Sequence, residues 1–316
     1  MVNVYDAVLL IGFGGPTRRE EIRPYLENVL RGRAVPLERL EEVARNYEAI
    51  GCRSPFNELT FRQAEGLRRL LQREGPRLPV YVGMRNWHPL FAETLERMIL
   101  DGIRHAVVGI ILAPHQGEAS WGRYQVSLQQ AMKQVQSKTG TGCPSIEYCE
   151  PWFKHPLFVE AVVDRLRCKM DKIPFDQRGH FKLLFTAHSV PTQLSKPYQD
   201  QLLETCTAVV GEIGLKEWEL VYQSRSGNPR DPWLEPDVCE AIERLADEGG
   251  KNVVLVPIGF VCDHVEVLFD LDLKARQVAE RRGMGFYRAS TVNDHPSFIR
   301  MLADVVRRAQ EGHIST

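Results

Sequence analysis

Eight short runs rich in β-branched and other apolar residues recur along the chain, and amphipathic helical patterns separate them. They lie at 5–11 (YDAVLLI), 79–84 (PVYVGM), 105–112 (HAVVGIIL), 146–149 (IEYC), 181–186 (FKLLFT), 218–223 (WELVYQ), 252–259 (NVVLVPIG) and 285–288 (GFYR). Antiparallel neighbours need only a short hairpin, whereas parallel strands need a crossover of helix length. The alternation therefore predicts an α/β chain built on parallel sheets with helices on their faces. The runs divide four and four about residues 151–178, where a helix and the polar stretch KMDKIPFDQRGH intervene. A length of 316 residues is more than one core usually serves. We expect two similar open-sheet domains, 1–150 and 151–316.

Helical faces support this division. Leu95, Met98 and Ile99 recur at helix spacing, as do Phe298, Met301, Leu302, Val305 and Val306 near the C-terminus. That last helix, roughly 295–311, follows the eighth strand and is expected to fold back across the boundary. The segment 14–78 is too long for a single crossover and should hold about three helices covering a cleft. One of them is entered through Thr17 and Glu20 at capping-box spacing, with Pro24 placed to kink or restart it.

Composition excludes several classes of partner. Forty Lys and Arg stand against forty-one Asp and Glu, a formal net charge of −1, so no bulk attraction to nucleic acid or an anionic membrane is encoded. No apolar run approaches the ~18 residues of a spanning helix, and the N-terminus has an acid but no basic leader ahead of its apolar run. A cytoplasmic, monomeric protein is expected. Seven cysteines without a CxxC pair suit reduced thiols, and neither zinc nor an iron–sulfur cluster is expected at Cys143 and Cys149.

Ligands of open α/β sheets sit beyond the carboxyl ends of the strands. Those ends read Gly12-Phe13-Gly14-Gly15-Pro16, Gly83-Met84-Arg85, His115, His188-Ser189, Gln223-Ser224-Arg225 and Asp263-His264-Val265-Glu266. IGFGGP is no dinucleotide fingerprint, because Thr17 stands where the third glycine belongs and the second strand arrives only near 79. Its glycines leave a tight turn that a flat ligand can approach. TAHSVP sets His188 just past one apolar strand, and Glu266 is read as ending another, two crossovers later. An imidazole and a carboxylate converging there can bind a divalent metal, exchange protons, or do both. Glu266, Asp270 and Lys274 continue at i, i+4 and i+8 on one helical face, a carboxylate ladder, with Lys274 read as a simple ion-pair partner of Asp270. Trp121, between Ser120 and Gly122, is hard to bury in this reading, and Trp87 is easier. Arg225 and Arg230 stand in a turn-rich loop after Tyr222.

Several of these segments together resemble the ferrochelatases of haem biosynthesis: IGFGGP, LRGRAVP (30–36), YEAIG with SPFNELT (47–60), GMRNWHP (83–89), DGIRHAV with LAPH (101–115), TAHSVP, YQSRSGNPRDPWLEP (222–236) and PIGFVCDHVEVLFDLD (257–272). They span nearly the whole chain, and TAHSVP with DHVE at this separation is the most specific element. The resemblance implies two Rossmann-like domains, each with a four-stranded parallel sheet flanked by helices (the chelatase fold), and a porphyrin cleft between them. It implies Fe(II) as a substrate inserted into coproporphyrin III or protoporphyrin IX with release of two protons, the porphyrin being received from other haem-pathway enzymes.

By the same resemblance His188 and Glu266 are the central pair for proton and metal, with Asp270 as a secondary metal or relay group. The porphyrin contacts are Phe13, Arg31, Arg33, Ser54, Trp121 and Tyr124. Phe13 stands where tyrosine or methionine is frequent, Cys52 where glycine is common, and Asn46 where arginine often supplies a propionate contact. Two other readings remain beside this one. A chelatase for cobalt or nickel and another tetrapyrrole would use additional histidines such as His115 and His264. A porphyrin carrier would have no use for Glu266.

Overall fold

The computed structural model describes residues 4–31, 37–175, 180–226 and 231–315. The chain forms two compact units. The first holds residues 1–114, 118–152 and 294–316, and the second holds 115–117 and 153–293.

In the first unit β1 (Ala7–Gly12) is followed by α1 (Ile22–Leu30), α2 (Leu37–Ala49) and α3 (Phe56–Glu74). Then come β2 (Val80–Met84), α4 (Phe91–Leu100), β3 (Ala106–Ile111), α5 (Arg123–Thr139) and β4 (Ser145–Tyr148). The four strands are parallel in the order β2-β1-β3-β4. Every residue of β1 is buried, which is why the strand reads as an unbroken apolar run rather than an alternating one. Leu95, Met98, Leu128 and Val135 of α4 and α5 cover one face of this sheet with Leu9, Ile11 and Val107.

The second unit repeats the plan. It runs α6 (Pro156–Met170), β5 (Lys182–His188), α7 (Tyr198–Ile213), β6 (Trp218–Gln223), α8 (Val238–Asp247) and β7 (Asn252–Pro257). The short α9 (Val265–Leu268) and α10 (Arg276–Arg281) follow, and β8 (Gly285–Arg288) closes the sheet. Its strand order is β6-β5-β7-β8, again all parallel. All eight expected strands form, and β7 stops at Pro257, two residues short of the expected end. The final helix α11 (Pro296–Gln310) belongs to the first unit, where the flat surface left by Gly66 of α3 receives Ile299.

One local expectation is corrected. Thr17 engages Glu21, not Glu20: its backbone N and Oγ1 donate to Glu21 Oε2 at 2.8 and 2.9 Å. Pro24 stands in the first turn of α1, which starts afresh at Ile22 after a short 3-10 turn at Arg19–Glu21, the restart expected of it.

Candidate active site

The central strand of the second sheet ends at His188, which pairs in register with Gln223, the last residue of β6. His188 is the last residue of β5, not a residue beyond it. Its neighbour Ser189 is buried, with its N donating to Gln223 O at 2.8 Å and its Oγ to Leu234 O at 2.8 Å. Tyr198 Oη donates to the His188 carbonyl at 3.2 Å. Burial keeps that phenol protonated by raising it further above its usual range. The imidazole is thus presented by a backbone fixed on three sides, with its ring partly open to solvent (30% exposed).

Glu266 does not end a strand. β7 finishes at Pro257, the chain turns through 258–264, and Glu266 lies in the first turn of α9. Its backbone N donates to Nδ1 of the N-cap His264 at 3.2 Å. Because β5 and β7 are adjacent, this turn delivers the carboxylate to the end of β5, and Glu266 Oε2 stands 2.9 Å from His188 Nδ1. Burial by itself would raise the Glu266 carboxyl. The His188 ring, by charge and by hydrogen bond, together with His264 and Ser224, outweighs burial and holds the group well below the ordinary carboxylate range.

The helix carrying Glu266 changes pitch. Residues Asp270–Ala275 form a π-turn between α9 and α10, with Lys274 N donating to Phe269 O at 3.0 Å. A π-turn shifts the phase of everything after it, so Glu266, Asp270 and Lys274 do not share one regular face. Lys274 still reaches Asp270 at 4.0 Å, the plain ion pair expected of it. Asp270 accepts a hydrogen bond from Ser224 Oγ, while burial pushes its carboxyl up to about 6. Ser224 has φ +61, a left-handed conformation that interrupts the strand alternation after Gln223. Two successive side chains therefore reach the same helix: Gln223 Nε2 donates to the Glu266 carbonyl, and Ser224 to Asp270.

The remaining carboxylates of this stretch are held by one guanidinium. Arg288, at the end of β8, donates from Nη1 to Asp263 Oδ1 at 2.9 Å and from Nε to Asp272 Oδ1 at 3.0 Å, and Nη2 completes the fork on Asp272. The density of ionisable groups at 263–272 thus sorts into two sets, Asp263 and Asp272 on Arg288, and Glu266 and Asp270 on His188 and Ser224. No sequence expectation attached to Arg288. The signal was a lone cation closing the eighth strand, sixteen or more positions from its partners.

The first unit uses its corresponding strand end differently. Gly14 has φ +85, and a Cβ there would lie 2.9 Å from the Trp87 backbone N; one on Gly15 would lie 2.9 Å from Ser54 Cβ and Oγ. Gly15 N donates to Asn57 Oδ1 at 2.9 Å, and Asn86 N to the Phe13 carbonyl at 3.0 Å. These glycines allow the close backbone approach that the tight turn implied, here to the protein's own Trp87 and Ser54. Trp121 is also corrected: it is 4% exposed, with Nε1 donating to Ala113 O at 2.9 Å. It shares a core cluster with Tyr124, and Phe13 packs partly buried against the same cluster.

Ser54 is buried, and Arg31 is exposed with Nη2 donating to Asn28 Oδ1 at 2.6 Å. Arg33 and Arg230 lie outside the described residues. Cys52 adopts φ +61, a conformation that glycine enters without strain. His115 is buried in the second unit with Nε2 3.0 Å from Thr205 Oγ1, and burial lowers its imidazole to about 3. All seven cysteines are free thiols. Among the described residues no helix is long and apolar enough to cross a membrane.

Comparison with known proteins places this geometry in a family. Residues 5–310 match the family model described as Ferrochelatase. A coproporphyrin III ferrochelatase of Nocardia farcinica is 39% identical over 97% of this chain and 89% of its own length. A ferrochelatase of Rhodopirellula baltica is 40% identical over 96% of this chain and 86% of its own. Among solved structures, SirB from Bacillus subtilis with Fe3+ aligns over 99% of both chains with a TM-score of 0.62 at 14% identity, a likeness of fold. With a whole-length family match and two-fifths identity to curated members, the chain belongs to the ferrochelatase family.

Proposed function

We propose that the protein inserts Fe(II) into a porphyrin, with release of the two pyrrole protons, and that coproporphyrin III is its first substrate. The observation that carries the chemistry is the 2.9 Å contact between His188 Nδ1 and Glu266 Oε2. An ionised Glu266 accepts from Nδ1–H in both the charged and the neutral ring, so that once the imidazolium gives up its Nε2 proton the lone pair stands on Nε2 with the ring's orientation fixed. A base of this kind, aimed at a macrocycle, takes the N–H protons that must leave before a metal can enter the plane.

His188 is therefore assigned as proton acceptor, and Glu266 as the group that sets its tautomer and balances the imidazolium that forms. One imidazole and one carboxylate also leave most coordination positions of a divalent ion unfilled, which suits iron that is handed on to ring nitrogens. Asp270, with its carboxyl near neutrality, is suited to relay protons outward. Arg31, Arg33, Ser54 and Tyr124 are proposed to receive the propionates and Phe13 and Trp121 to border the ring, with charge-assisted bonds from the arginines setting its orientation.

The choice of coproporphyrin rests on the likeness to the coproporphyrin III ferrochelatase of Nocardia farcinica and to a second one, 37% identical, of Mycolicibacterium smegmatis. Anaerobic turnover of Fe(II) with coproporphyrin III and protoporphyrin IX side by side tests it. A higher kcat/KM for coproporphyrin III is expected, and a preference for protoporphyrin IX overturns the assignment. No insertion into either, with tight porphyrin binding, would make the protein a carrier.

A further inference from the structure

We infer that Arg288 is a positioning residue for metal insertion: by gripping Asp263 and Asp272 it pins the chain on both sides of Glu266 and so fixes that carboxylate against the His188 ring. This rests on the function proposed above and adds to it a residue outside the sequence motifs that carry the resemblance.

Asp263 precedes Glu266 by three residues and Asp272 follows it by six, so the span between them contains the turn of α9 and the start of the π-turn. The Arg288 side chain is 11% exposed, and its three nitrogens all point at these two carboxylates, with a weaker contact from Nη1 to Ala289 O at 3.4 Å. Asp263 is braced further by Asn293 Nδ2 at 3.1 Å and Thr291 N at 3.3 Å, and its own N donates to Asn293 Oδ1 at 3.0 Å. Arg276 Nε donates to the Asp272 carbonyl at 3.0 Å.

A planar guanidinium can hold two carboxylates at a fixed separation and angle; an ammonium is a point charge and cannot. On the opposite side, β6 latches the same helix through Gln223 and Ser224. Loss of the β8 clamp should therefore leave the helix formed and let it tilt about the β6 latch. A displacement of about 1 Å between reacting groups can cost on the order of a hundredfold in rate.

The test uses Arg288→Lys, which keeps the charge and removes the fork, and Arg288→Gln with Asp272→Asn, which removes the fork together with one of the two carboxylates it grips. For Arg288→Lys we expect kcat for Fe(II) insertion to fall about 10- to 100-fold, with porphyrin affinity, read by fluorescence quenching, within about twofold. In a Glu266→Gln background the same substitution should change the residual rate less than about twofold, because Arg288 acts through Glu266. The double variant, checked by circular dichroism for a folded protein, should lose rate to a similar degree.

Unchanged kcat in Arg288→Lys, or an equal proportional loss in both backgrounds, overturns the inference. An unmodified protein that inserts no iron would instead sink the proposed function. A turnover-free readout covers that case: 15N shifts of the His188 ring should move toward mixed tautomers in Arg288→Lys, and unchanged shifts count against the clamp.

Discussion

Strand β1 in the first sheet and strand β5 in the second hold the same place, between the next strand of the chain on one side and the one after it on the other. That is the topological switch point, where the loops leaving two neighbouring strands part and open a crevice. At the end of β1 a turn of glycines packs closely against the protein's own Trp87, Ser54 and Asn57. At the end of β5 it holds an imidazole and a carboxylate in contact.

The parallel extends further. In each unit the connection after the third strand contains a π-turn, Glu118–Gly122 before α5 and Asp270–Ala275 before α10. The first carries the indole of Trp121 into a core, and the second carries Asp270 to the Ser224 hydroxyl and Asp272 to the Arg288 guanidinium. One topology thus supplies two equivalent strand ends, and side-chain identity sets them apart: close packing around glycines at one, a contact between two titratable groups at the other.

The comparison breaks most visibly if the β5 end can be altered without loss of rate. His188→Ala should lower kcat by about 10²–10⁴-fold, the usual weight of a positioned general base. Porphyrin binding should survive, as measured by fluorescence quenching and anaerobic Fe(II) turnover. Glu266→Gln keeps the volume and removes the charge that sets the His188 tautomer, and a loss of similar order is expected. Insertion by either variant at the parent rate would mean that the 2.9 Å pair is only structural.

Arg288→Ala should act on stability as well as on rate. It leaves Asp263 and Asp272, at 16% and 23% exposure, without their common cation. Breaking such a pair from one side costs about 3–5 kcal/mol, which urea denaturation would register as a lowered midpoint. The matching experiment in the first unit is Gly14→Ala. A Cβ there is forced to within 2.9 Å of a backbone nitrogen at φ +85, a combination worth about 3 kcal/mol from strain and overpacking. Stability should fall while His188 chemistry in the surviving folded fraction stays unchanged. A selective loss of kcat without loss of stability would show that the β1 turn also serves the reaction.

How much of this was legible in the sequence follows from the range of the forces involved. Strands such as β1 and β7 are buried on both faces, so burial writes itself locally as a continuous apolar run, and all eight could be placed. His188 and Glu266 were legible because titratable groups beside a sheet core need a reason to be there. Their contact depends on β5 and β7 being neighbours, which no local signal states. The Arg288 clamp joins residues 16 and 25 positions apart, and neither end has a pattern that names the other. The π-turn left no periodicity of its own, so Asp270 and Lys274 were set on a regular face that the helix does not keep. Gly14 and Gly15 did signal close approach, but a glycine does not say what approaches it.

Asp270 offers the smallest effect, and its sign separates it from Glu266. Burial lifts its carboxyl from 3.8 to about 6, so between those values the folded protein binds more protons than the unfolded chain. Stability from this group is fully present below pH 4 and is lost as pH rises through 6. With about 1.4 kcal/mol per pKa unit, the loss is on the order of 3 kcal/mol for a side chain that is 15% exposed. Glu266 has the opposite sign, its carboxyl being depressed, so its contribution is lost only as pH falls below the ordinary carboxylate range. Asp270→Asn should therefore raise the urea midpoint relative to the parent above pH 6 and leave it nearly unchanged below pH 4. A difference that is flat across that window would mean that Asp270 stays ionised throughout, and that the β6 latch through Ser224, rather than burial, governs the group.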